Sequence, residues 1–223
     1  MQTFVSQDGT TVACFVSGSG SPLVLVHGTT ADHNRWAPVL GALEKKFTVY
    51  ALDRRGRGSS GDTTDYTIER EFEDVAAVVE GIGGPVDLIG HSYGAICSAE
   101  AALLAQEVRK LVLYEPLPTG VPIYPEGAID RLQAQLDAGD RTGVVETFMR
   151  EITRMPDALL ERMKGLPAWH GRVASAHTIV RELRAHQGYA FVGEKFHSLR
   201  APTLLLLGGA RSSQAKWFDK RKI

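Results

Sequence analysis

The chain has 223 residues, enough for one large domain or a core with an inserted subdomain. Its net charge of −1 excludes a field that would gather nucleic acid or an anionic membrane surface. No run approaches the ~20 apolar residues of a membrane span. The start, Met1 to Asp8, lacks the basic cluster and apolar stretch of a signal peptide, as expected of a cytoplasmic protein.

Residues 2–6 and 11–17 read as a hairpin around Asp8-Gly9. Leu23-Val24-Leu25-Val26 is a buried-strand run. Trp36, Val39, Leu40 and Leu43 fall at helical spacing in 35–45, and 47–52 is the next strand. Ile68, Phe72, Val75, Ala76 and Val79 mark one side of a helix over 66–82. Strand 85–89, helix 93–106 and strand 109–114 follow, and Thr203–Leu207 is the next clear strand. Strands alternating with helices predict an α/β fold, a mainly parallel sheet covered by helices on both faces. Cys14 falls in a strand and Cys97 in a helix, as buried hydrophobes rather than a disulfide pair or metal ligands.

Gly90-His91-Ser92-Tyr93-Gly94 lies between a predicted strand and a small-residue helix. Strand, G-x-S-x-G, helix is the nucleophile elbow, a turn so tight that the serine is held out at the strand's carboxyl end. The bland alternative is a loop that happens to contain two glycines and a serine. His27-Gly28-Thr29-Thr30 follows the Leu23–Val26 run. Acyl transfer builds negative charge on a carbonyl oxygen, and aimed backbone N–H groups stabilise it. The candidate donors are the N–H groups of Thr29 and Tyr93. A third motif, Asp53-Arg54-Arg55-Gly56-Arg57-Gly58-Ser59-Ser60, follows strand 47–52.

With these three motifs the chain resembles the α/β-hydrolase superfamily over about residues 1 to 210. The resemblance implies a hydrolase core over 1–120, a helical cap over 121–197, and the end of the core plus a basic stretch over 198–223. Phe148, Met149, Met155, Met163, Trp169 and Tyr189 are the cap's candidate pocket residues. Packing within the cap is the plainer reading of each. His170, His177 and His186 read as surface or helix-packing histidines.

Serine is a poor nucleophile until a base, usually His oriented by a carboxylate, takes its proton. The superfamily orders these groups Ser, acid, His. Leu207 to Ser213 holds no carboxylate, whereas Glu115 matches the acid position that some branches use after the sixth strand. Asp219 is a distant second candidate. The resemblance also implies a helix, a strand and a His-bearing loop after Gly209. No histidine follows His197, and Ala210 to Ile223 has neither pattern, so the chain reads as truncated or frame-shifted. His27 and His91 support the motifs with Gly28, Gly90 and Gly94, and His33 lies in the following loop.

The resemblance implies hydrolysis of a carboxylic ester or lactone through a Ser92 acyl-enzyme, impaired here, with no metal or organic cofactor. A Ser elbow disfavours the dehalogenase and epoxide-hydrolase branches, which it associates with Asp. A cofactor-free peroxidase side activity stays open. The alternatives are a non-catalytic ligand-binding or regulatory protein and a non-functional truncated product. Partners are a small-molecule ester or lactone, and neither nucleic acid nor membrane. Self-association is expected through the Thr203–Leu207 edge, which Lys216 to Lys222 would shield in part and Trp217 and Phe218 could cover.

Overall fold

A computed structural model describes residues 1–208. Its centre is a seven-stranded sheet of β1 (Gln2–Val5), β2 (Thr11–Gly18), β3 (Ser21–Val26), β4 (Phe47–Leu52), β5 (Val86–His91), β6 (Val108–Tyr114) and β7 (Thr203–Leu206). The spatial order is β1-β2-β4-β3-β5-β6-β7. β1 and β2 form the antiparallel hairpin, β2 runs antiparallel to β4, and every later pair is parallel.

Apolar runs in the central strands reflect burial on both faces. Successive side chains alternate across a strand. Val24 and Val26 therefore face the core that packs under α2 (Ile68–Ile82) and α3 (Tyr93–Leu104), with Phe72, Val75, Val79 and Cys97. Leu23 and Leu25 face the opposite core with Trp36, Val49 and Ala51, beside α1 (Ala37–Leu43). Cys14 and Cys97 are buried and free.

Several boundaries differ from the sequence reading by a few residues, and two of the differences have clear local reasons. The 35–45 helix divides into a 3₁₀ turn, His33–Trp36, and α1, which begins beside Pro38, a residue suited to a helix's first turn. α2 starts at Ile68 and ends at Gly83, whose φ of 74° is the left-handed stop that glycine adopts freely. α3 shows little amphipathic signal because neighbours surround it, and ten of its residues are buried.

Five α-helices lie in the connection from β6 to β7: α4 (Ala128–Asp137), α5 (Arg141–Thr147), α6 (Asp157–Lys164), α7 (Ala168–Ala174) and α8 (His177–Gly188), with a π-helical turn at Phe148–Ile152 and a 3₁₀ helix at Gly193–Ser198. They hold a core of their own, with Leu132, Val144, Phe148, Met149, Leu160, Trp169, Ile179 and Leu183. Met155 and Met163 pack against that core, whereas Tyr189 joins the sheet–α2–α3 core. β7 is one of the two described edge strands, opposite β1, and Leu204, Leu205 and Leu206 are exposed along it. The expectations for Asp219, Lys216 to Lys222, Trp217 and Phe218 fall on residues 209–223, outside the described residues.

Candidate active site

Ser92 ends β5 and opens α3 with φ 56° and ψ −121°. A non-glycine residue pays conformational energy in this region, and such strain clusters at functional sites. The neighbours show why only glycine fits around it. A Cβ on Gly90 would lie 2.5 Å from Ser98 Oγ and 2.6 Å from Ala95 Cα. A Cβ on Gly94 would lie 2.6 Å from the Val26 carbonyl oxygen and closer still to that of His27.

The loop after β3 closes on the elbow. A Cβ on Gly28 would stand 2.9 Å from Ser92 Cβ, so the loop lies directly against the serine at Gly28. Thr30 is buried with φ 62°. Glu115 follows β6 with φ 44°. Among the described residues four non-glycine residues have positive φ, and three of them are Thr30, Ser92 and Glu115. They sit at the carboxyl ends of β3, β5 and β6, which are neighbours in the sheet.

Ser92 and Glu115 flank one rung of the β5–β6 pair: the Ser92 N–H donates to the Tyr114 carbonyl at 2.9 Å. The Glu115 N–H donates to the Leu206 carbonyl at 2.8 Å, and its exposed side chain accepts from the Gly208 N–H at 3.1 Å. Tyr93 is buried, its hydroxyl 2.9 Å from the Tyr66 hydroxyl and its ring 4.5 Å beneath the Arg54 guanidinium.

The Asp53 turn is a buried polar scaffold. Asp53 Oδ1 accepts from the His33 N–H and pairs with His33 Nδ1, both at 2.8 Å, and Oδ2 accepts from the Ser59 N–H at 2.9 Å. Arg54 lays two N–H groups on Glu71 at 2.6 Å and reaches Glu182 of α8 at 2.9 Å. Arg57 also pairs with Glu182. Burial alone would raise the Glu71 carboxyl, but the Arg54 cation and its hydrogen bonds hold it below its ordinary pKa.

The seven histidines all lie in the described region. None has a described hydrogen bond to Ser92. His27 Nδ1 donates to the Gly28 carbonyl at 2.8 Å, which leaves Nε2 to accept from the Arg54 N–H at 3.2 Å. Burial, then the Arg54 and Arg57 cations, push its pKa well down, so it stays neutral with both nitrogens occupied. His33 stacks on Phe15 at 3.5 Å. His91 packs beside Trp36 and Tyr114, and burial with the Arg35 charge lowers its pKa to about 4, a weak base at neutral pH. His177 lies between Arg141 and Asp62, and His186 bonds the Tyr124 hydroxyl. His170 and His197 are exposed.

Depressed histidines make stability fall in mild acid. Their folded pKa values lie below the unfolded value of ~6.5, so the contribution is complete above pH 6.5 and lost as pH falls toward the folded value. For His91 the window is pH 6.5 to about 4, with a slope of about 1.4 kcal/mol per pH unit. Urea unfolding at pH 7 and pH 5 should give a lower midpoint at pH 5, and His91→Gln should shrink the difference. A pH-independent midpoint would contradict these buried, neutral imidazoles.

A cleft of about 890 Å³ lies between the Asp62–Glu69 segment and α8, lined by Tyr66, Ile68, Arg181 and Tyr189 among others. A smaller one, about 320 Å³, lies by Gly120–Tyr124 and His186. Ser92 and Thr29 line neither. Sequence reasoning missed Glu182 and Arg172. Glu182 sits within the buried stripe Ile179, Leu183 and His186 of α8, and a charge inside such a stripe was the available signal.

The chain belongs to the alpha/beta hydrolase family, whose model matches residues 23–223. It is similar to an alpha/beta hydrolase of Sphaerobacter thermophilus DSM 20745, with TM-score 0.84 and 38% identity, covering 96% of this chain and 85% of that one. Among curated relatives, it is 28% identical over 176 residues to the 2-(acetamidomethylene)succinate hydrolase of Mesorhizobium japonicum, covering 77% of this chain. It is 40% identical over 80 residues to the soluble epoxide hydrolase of Corynebacterium sp. strain C12, covering 35% of this chain. The matched segments span 56% and 28% of those two proteins. Among the described residues no helix is long and apolar enough to cross a membrane.

Proposed function

We propose that this chain is a serine hydrolase that attacks a carboxylic ester or lactone through Ser92. The carrying observation is that the strained Ser92 and Glu115 and the Thr29-bearing loop meet at three adjacent strand ends. Ser92 is the nucleophile, the N–H groups of Thr29 and Tyr93 hold the oxyanion, and Glu115 is the acid that orients a base. Both amides suit the role: Tyr93 opens α3, where the first N–H groups lack intrahelical acceptors, and Thr29 follows the glycine pressed against Ser92. The β6–β7 helices act as the cap. The relative named as a 2-(acetamidomethylene)succinate hydrolase supports hydrolysis of a small molecule.

No described histidine is engaged with Ser92, and no described residue stands as the base for Glu115 to orient, so slow turnover is the expected result. Loss of the base alone costs on the order of 10⁴–10⁶ in turnover. Incubation with 4-nitrophenyl acetate at alkaline pH should leave one acetyl group on Ser92, read by mass spectrometry and absent in Ser92→Ala, with little turnover. Fast saturable hydrolysis lost in Ser92→Ala would show that another residue supplies the base. Equal acylation of the Ser92→Ala chain would overturn the reading. A second reading, favoured by the lack of any described histidine bonded to Ser92, is a ligand-binding protein without turnover, which predicts tight ligand binding and no acetyl adduct.

A further inference from the structure

Three arginines in this fold fill the side-on, carboxylate-binding edge of the guanidinium. Arg54, Arg55 and Arg109 each present Nε and Nη2 to both oxygens of one carboxylate. The partners are Glu71 at 2.6 and 2.6 Å, Asp74 at 2.7 and 2.6 Å, and Asp87 at 2.8 and 2.8 Å. Arg57 and Arg181 are each answered by a carboxylate, Glu182 and Asp62, although the Nε of each has no hydrogen-bond partner among the described residues. This side-on pairing matches two parallel N–H donors to two carboxylate oxygens.

Arg172 of α7 departs from the pattern. Its Nη1 donates to the Thr30 carbonyl at 2.7 Å and meets the Thr30 hydroxyl at 2.9 Å, which fixes the guanidinium beside the loop that touches Ser92. Its Nε is buried and has no hydrogen-bond partner among the described residues, and no described carboxylate comes within ion-pair distance. Burial lowers its pKa, the Arg35 cation lowers it further, and Asp32 opposes them in part. Asp32 spends Oδ1 on the Asn34 N–H at 2.9 Å, capping its own turn. A half-satisfied, part-buried cation is costly unless something answers it.

We propose that the guanidinium of Arg172, which no described carboxylate answers, receives a carboxylate carried by the substrate. The ligand class is thus an anionic ester or lactone whose acid group lies a few atoms from the carbonyl that Ser92 attacks. The second statement rests on the hydrolase reading, while the carboxylate receptor stands on the Arg172 geometry. The Thr30 contact serves both: Nη1 anchors the guanidinium, so the remaining edge is pre-oriented and loses little freedom on binding.

The test is calorimetric titration of the full 223-residue chain with methyl hydrogen succinate and with its neutral counterpart, dimethyl succinate. The monoester should bind at least tenfold more tightly than the diester. Arg172→Gln should erase that preference, and Arg172→Lys, which retains the charge but not the fork, should lose most of it. Arg184→Gln, on the outer cleft, should retain it. Equal binding of the two compounds by the unmodified chain overturns the proposal, as does an Arg172→Gln chain that still prefers the monoester. Should Arg172→Gln fail to fold, Arg172→Lys and the unmodified chain decide by the same ratio. Ser92 acetylation by the neutral 4-nitrophenyl acetate is read in parallel. Acetylation without anion preference overturns the receptor alone. Anion preference without acetylation overturns the hydrolase reading alone.

Discussion

Replacing Gly94 by alanine is expected to cost at least about 3 kcal/mol and to lower the melting midpoint by ~10 °C. The cause is contact between two pieces of backbone. A Cβ at Gly94 points at the Val26 and His27 carbonyl oxygens, where β3 becomes the loop that meets Ser92. Overpacking in a core costs ~1–3 kcal/mol when side chains can adjust. Neither partner here has a rotamer to change, so α3 must move away from β3. That movement removes a large share of a margin of ~5–15 kcal/mol. It also draws the Ser92 turn away from Gly28, so any Ser92 acetylation should fall with stability. A Gly94→Ala chain with an unchanged midpoint would mean that α3 and the end of β3 are not this close.

Glu182→Leu should cost about 3–5 kcal/mol, the usual penalty for leaving a buried cation without its partner. Glu182 is fully buried and answers both Arg54 and Arg57. Without it those two cations share Glu71, which already carries two N–H groups of Arg54. Replacing the cation as well should return much of the loss, because an apolar pair in place of a buried ion pair is often neutral. The prediction is therefore a large drop in Glu182→Leu and a partial recovery in Arg57→Met with Glu182→Leu, measured by urea unfolding. Additive losses in the double variant would show that the two side chains are not coupled.

Periodicity made the sheet and its flanking helices legible. Strands such as Leu23–Val26 are apolar without a break because both faces are covered, and their residues divide between two cores. The glycines of the elbow were legible because the turn demands them. The ties between layers were not. Arg54 meets Glu182 across 128 residues, and Arg172 meets Thr30 across 142. No local pattern encodes a partner at that distance. The Arg residues of the Asp53 turn therefore read as motif letters rather than as a buried charge network. The histidines show the same limit: the sequence counted them, but only the fold shows His27 spending both nitrogens on backbone.

The two cross-layer ties constrain how this scaffold could exchange its roof with a relative. The β6–β7 helices pack on a core of their own, so they resemble a module that recombination could replace whole. The receiving surface is not neutral. It presents Arg54 and Arg57 already buried, and a Thr30 carbonyl already turned toward a donor. A transplanted set of helices must therefore bring an acid at the place of Glu182 and a donor at the place of Arg172. Shuffled chimaeras that keep those two positions should accumulate as folded protein, and those that lose them should be cleared.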